Sequence, residues 1–170
     1  VDTRGLHPPI VGTAATLTWR DEADTEAFAR RLAARPGIAN ARLTLHGDLG
    51  TGKTTFVRHL LRALGVTGRI KSPTYAVVEP HQAPPREAGQ PPLEIWHFDF
   101  YRFNDPREWE DAGFRDLYAR PGLKIAEWPE KAAGLLPPPD LALALQADAQ
   151  GARHVTLTAH TARGQALMEA

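Results

Sequence analysis

The chain has 170 residues, long enough for one domain with a real core, and its 20 Lys and Arg balance 20 Asp and Glu. Neutrality, with no long basic run, argues against RNA binding through a cationic face of this chain alone. The absence of cysteine excludes disulfides, thiolate zinc sites and cysteine nucleophiles. No apolar run approaches the ~20 residues of a membrane span, and Val1 to Ile10 lacks a signal-peptide pattern. A cytoplasmic protein with no membrane attachment is therefore expected.

Thr13 to Trp19 reads as an opening strand. Asp21 is a helix N-cap candidate, Phe28 and Leu32 mark an apolar face, and Pro36-Gly37 ends the helix. Ala41 to His46 alternates as a strand would, although a strand buried on both faces is usually a continuous apolar run. It leads into Gly47-Asp48-Leu49-Gly50-Thr51-Gly52-Lys53-Thr54, a complete G-x-x-x-x-G-K-[ST] phosphate-binding loop. Such a loop turns its backbone N–H groups onto phosphate oxygens. Lys53 supplies a point charge for the β- and γ-phosphates, and the Thr54 hydroxyl suits Mg²⁺. Val57, Leu60, Leu61 and Leu64 then repeat at helical spacing, with Gly65 as the stop. Strand, glycine loop and helix together predict nucleoside triphosphate binding.

Ser72-Pro73-Thr74 holds the only serine and reads either as a loop sensing the γ-phosphate or as a plain Ser-Pro turn. Tyr75 to Glu79 is strand-like, and His81 to Pro92, with four prolines, reads as a mobile loop. Leu93 to Asp99 is the next strand, ending in His97-Phe98-Asp99-Phe100-Tyr101-Arg102. Asp99 stands where a P-loop fold needs an acidic residue for its magnesium shell, and His97 reads as a packed strand histidine. Asp105-Pro106-Arg107-Glu108 resembles a capping box that opens a short helix near Trp109. Gly122 to Glu127 is a further strand. Glu127 either orients the attacking water or joins the magnesium shell, and Trp128 beside it is a candidate nucleotide contact. Leu141, Leu143 and Leu145 alternate, as do Val155, Leu157 and Ala159 across a turn near Gly151, which predicts an antiparallel hairpin at the sheet edge. The whole chain, 1–170, is expected to form one α/β domain. Its expected fold is a three-layer P-loop NTPase sandwich with a mostly parallel central sheet.

The motifs GDLGTGKTT, SPTY, HFDFYR and EWPE, in this order and spacing, resemble the bacterial TsaE (YjeE-type) family over about residues 17–140. Family members usually carry alanine where this chain has Thr51, and the Pro-rich stretch after His81 is longer than usual. The resemblance implies a weak, Mg²⁺-dependent ATPase acting in threonylcarbamoyladenosine modification of tRNA. Its implied partners are the two paralogous subunits of the threonylcarbamoyl transferase, and it would touch tRNA at most indirectly. In that reading Gly50, Thr51, Gly52, Lys53, Thr54 and Thr55 cradle ATP. Thr54, Asp99 and Glu127 complete the metal environment, and Lys53, Asp99 and Glu127 carry the catalysis. Ser72 and Thr74 form a switch, Trp128 lies near the nucleotide, and segments at Asp21-Glu22 and Gln150 to Arg153 approach the base. A small-molecule or nucleoside kinase of P-loop type is the alternative, although no arginine-rich lid is evident. A guanine-specific switch is disfavoured, because neither Asn40 nor Asn104 is followed by lysine.

Overall fold

The computed structural model describes residues 13–73, 77–105, 107–111 and 113–169. In chain order it forms β1 (Thr13–Trp19), α1 (Glu22–Ala33), β2 (Arg42–His46), α2 (Lys53–Leu64), β3 (Val78–Ala83), β4 (Leu93–Asp99), α3 (Arg107–Asp111), α4 (Phe114–Ala119), β5 (Leu123–Glu127), β6 (Leu141–Ala147), β7 (Arg153–Ala159) and α5 (Ala162–Met168). The seven strands form one sheet in the order β1-β7-β6-β2-β5-β4-β3. The central pairs β6–β2, β2–β5 and β5–β4 are parallel, flanked by antiparallel pairs on both sides.

Local chemistry accounts for most element ends. The Asp21 carboxylate accepts from the Asp24 N–H at 3.0 Å and starts α1. Gly65, at φ 104°, closes α2 by turning its own N–H and that of Val66 back to the carbonyls of Arg62 and Leu61. Glu108 returns its carboxylate to the Asp105 N–H at 3.0 Å, as a capping box does.

Strand alternation divides the core in two. Leu43, Leu45, Ile95, Ile125 and Leu143 face α1 and α2, where Trp19, Phe28 and Phe56 cluster. Trp96, Phe98 and Ala126 face the other way, into an aromatic group with Trp109, Phe114 and Tyr118 from α3 and α4. This third layer lies over β4 and β5 and also meets Val78 of β3. The same side of β6 and β7 is solvent-exposed at Ala144, Gln146, His154 and Thr156. The alternation of β2 has the same cause: Arg42, Thr44 and His46 lie on the sheet side that α1 and α2 do not cover.

Three features depart from the sequence expectations. The strand placed at Tyr75 to Glu79 is β3, Val78–Ala83, with Tyr75 outside the described residues. His81 and Ala83 therefore pair with Ile95 and Leu93, and the Pro-rich loop begins only at Pro84. Pro80 is tolerated because β3 is an edge strand and needs no second partner for its missing N–H. The β6–β7 hairpin is present, but β1 pairs with its outer strand and takes the sheet edge. Helices α4 and α5 were not anticipated. Among the described residues, no helix is long and apolar enough to cross a membrane.

Candidate nucleotide site

The loop Gly47–Thr54 links the end of β2 to the start of α2. Gly47, at φ 143°, has no room for a side chain: a Cβ there would lie 2.6 Å from the Leu145 carbonyl oxygen. Gly52, at φ 100°, is the left-handed entry to α2, and no side chain caps the helix behind it. The first N–H groups of α2 therefore have no side-chain cap among the described residues and suit an anion. Thr51 is 6 % exposed and donates to the Asp48 carbonyl at 2.8 Å, bracing the loop from inside.

Lys53 is buried against the loop. Its Nζ donates to the carbonyls of Gly47 and Asp48 and stands 4.3 Å from the centre of the Trp128 ring. Burial lowers its pKa, opposed by the carboxylates of Glu127 and Asp99. Thr54 donates its hydroxyl to Glu127, with the carboxylate oxygens at 3.0 and 3.2 Å. Behind Glu127, the Nε2 of His97 lies 2.6 Å from Oε2, with both side chains almost fully excluded from water. Asp99 is half-buried and accepts from the Tyr101 N–H at 3.0 Å. Its pKa is raised, first by burial and further by Glu127, although the Tyr101 bond opposes the shift.

A cleft of about 330 Å³ opens over this group. Gly50 to Thr55, Asp99, Glu127 and Trp128 all line it. Ser72 does not line it, and Thr74 lies outside the described residues. Strand order changes the weight of the two carboxylates. β5 lies between β2 and β4, so Glu127 rather than Asp99 is the carboxylate that meets Thr54. Three further residues on the lining, Leu49, Tyr101 and Arg153, come from the loop tip, the end of β4 and the start of β7. Arg153, Gly52 and Thr55 also border a smaller adjoining hollow of about 130 Å³ with Trp19, Asp21 and Glu22. A larger hollow of about 480 Å³ near Trp96 and Gly122 lies at the opposite ends of the strands and includes none of these groups.

The donor set fits magnesium. One hydroxyl and two carboxylates are hard oxygen donors, and Mg²⁺ commonly takes one or two protein carboxylates and completes its shell with water and substrate phosphates. An all-protein cage is not needed, and no group of three or more His, Cys, Asp or Glu residues able to hold a metal occurs among the described residues.

The sheet, the glycine loop and the helix behind it define a P-loop NTPase-like α/β protein. The family model described as "Threonylcarbamoyl adenosine biosynthesis protein TsaE" matches residues 19–155. The chain belongs to this family. A relative from Haemophilus influenzae named tRNA threonylcarbamoyladenosine biosynthesis protein TsaE is 40% identical over 126 residues, 74% of this chain and 75% of the relative. A Bacillus subtilis protein of the same name is 33% identical over 157 residues, covering 90% and 92%. The crystal structure of Bacillus subtilis YdiB superposes with a TM-score of 0.69 at 26% identity over 93% of both chains.

Proposed function

We propose that this TsaE-family protein is a Mg²⁺-dependent ATPase of the cytoplasm. In this reading it binds the two paralogous subunits of the tRNA threonylcarbamoyl transferase and hydrolyses ATP to sustain their turnover. The observation that carries the reading is the contact of Thr54 with Glu127 beside Lys53, at the mouth of a helix whose first N–H groups have no side-chain cap.

Magnesium, when bound, would neutralise phosphate charge and polarise the γ-phosphoryl group. Thr54, Asp99 and Glu127 would hold it, directly or through water. Glu127 accepts the Thr54 hydroxyl proton and so turns the threonine lone pairs outward. Lys53 leaves the Gly47 and Asp48 carbonyls for the β- and γ-phosphates. Asp99 lines the cleft beside Glu127, where a carboxylate can orient the attacking water. Gly50, Thr51, Gly52 and Thr55 present backbone and side chains to the phosphates. The adjoining hollow between Trp19 and Arg153 suits the base, which extends the expectation for Asp21 and Arg153. Ser72 and Thr74 remain the candidate switch, closing when the transferase subunits dock.

The test is calorimetric titration of ATP with Mg²⁺ into the parent and into Lys53→Ala, followed by turnover measurements with and without the transferase subunits. The parent should bind, the variant should lose most of its affinity, and the subunits should raise a slow basal rate. Equal affinity in the two proteins would refute the site. A high rate indifferent to the subunits, or phosphate transfer to a nucleoside, would favour the kinase alternative.

A further inference from the structure

Glu127 is held from two sides. Thr54 on α2 approaches its carboxylate from the cleft, and His97 on β4 approaches from the interior. The strand register makes the second contact diagonal: the Cα partner of His97 is Ile125, and that of Glu127 is Asp99. His97 therefore shares the α2 side of the sheet with Asp99 and reaches along the strands to the carboxylate.

The tautomer follows from chemistry. A carboxylate only accepts, so at 2.6 Å the proton must lie on Nε2. The other ring nitrogen, Nδ1, is buried with no hydrogen-bond partner among the described residues. With the proton on Nε2 that atom is a bare lone pair. The opposite tautomer would bury an unpaired N–H and set two acceptors 2.6 Å apart. A packing residue on an apolar strand needs none of this, and an apolar side chain would fill the position without leaving a nitrogen unpaired.

We propose that His97 is a positioning residue for the metal site. Its Nε2–H bond to Oε2 holds the Glu127 carboxylate turned toward Thr54, and through that hydroxyl sets where magnesium is held. A glutamate has three side-chain torsions. Tethering one oxygen from behind removes most of that freedom before nucleotide arrives. The inference rests on the reading of Thr54 and Glu127 as the anchor of Mg²⁺.

The experiment compares the parent with His97→Leu, which keeps bulk without a donor, and His97→Gln, which restores an N–H near the Nε2 position. Each is titrated by calorimetry with a non-hydrolysable ATP analogue, first in a chelator and then with Mg²⁺, after thermal melting has shown it folded. Binding in the chelator should be the same in all three, because it depends on the loop and Lys53. The gain in affinity on adding Mg²⁺ should fall about 10-fold or more in the leucine variant, the usual scale for losing an outer-shell partner, and return in the glutamine variant. An undiminished gain in the leucine variant, or failure of a folded glutamine variant to restore it, would overturn the proposal. No binding by the parent would instead sink the nucleotide reading itself. A readout independent of metal and of folding in the variants is the ¹⁵N spectrum of histidine-labelled parent protein. His97 should carry its proton on Nε2, and a proton found only on Nδ1 would refute the bond.

Discussion

Lys124 should make the protein more stable as pH rises from 7 to 10. It lies on β5 with 3 % exposure, and no carboxylate pairs with it among the described residues. Its Nζ donates to the Arg120 carbonyl just past α4 and sits 5.4 Å from the Trp96 ring centre. Burial, and secondly the guanidinium of Arg42 opposite it, lower its pKa from 10.5 to about 8. Between those values the unfolded chain holds a proton that the folded chain has released, so stability increases with pH. A gap of about 2.5 pH units corresponds to a penalty of about 3 kcal/mol at pH 7, with about 1 kcal/mol left at pH 10. Lys124→Met removes the titration, and the altered packing adds an offset that does not vary with pH. The advantage of the variant should thus shrink by about 2 kcal/mol from pH 7 to 10, measured by urea unfolding of both proteins. The difference is the diagnostic quantity because Lys53, whose pKa is also lowered, adds the same sign to both curves. Above pH 10 the buried Tyr118, its phenol pushed up by burial, turns both curves downward, since the unfolded phenol ionises first. A stability gap that stays constant from pH 7 to 10 would show that this ammonium is not coupled to folding.

Asp99→Asn and Glu127→Gln should leave the fold intact and reduce ATP hydrolysis by at least ~10²-fold, measured as phosphate release with the partner subunits present; normal rates in both would refute the assignment. Trp128→Phe should remove most of the nucleotide-induced change in tryptophan emission, because Trp128 lies over Lys53 at the cleft, Trp96 and Trp109 are buried elsewhere, and Trp19, although it borders the adjoining hollow, is itself only 2 % exposed. A titration with ADP decides this, and survival of the signal would make Trp128 ordinary packing. Gly164→Ala should destabilise the protein by ~2 kcal/mol or more in urea melts, because a Cβ there would lie 1.7 Å from the Asp140 carbonyl oxygen.

What could be read from the chain was what its chemistry specifies locally. The phosphate loop, the Gly65 stop and the Asp21 cap each depend on residues within a few positions of one another. Helix α5 does not. Thr161 caps it and donates to Asp140 at 2.7 Å, twenty-one positions away, and Gly164 is required by a carbonyl on another strand's approach. The Thr54–Glu127 contact spans 73 positions and exists because β5 inserts between β2 and β4, an order that alternation within single strands does not encode. His97 was legible as a strand residue, and its two-residue spacing from Asp99 was the available sign that it shares the face of the site. Only the diagonal register shows which carboxylate it meets.

The polarity of the parallel strands has a practical consequence. Residues 84–92 are exposed throughout and join β3 to the start of β4, whereas the nucleotide loop, Asp99 and Glu127 sit at the strands' other ends. Doubling the length of such a connection adds only about 0.6 kcal/mol of closure entropy. An affinity tag or a fluorescent domain inserted between Arg86 and Gln90 would therefore stand a full strand length from the cleft beside Lys53 and leave both chain termini untouched.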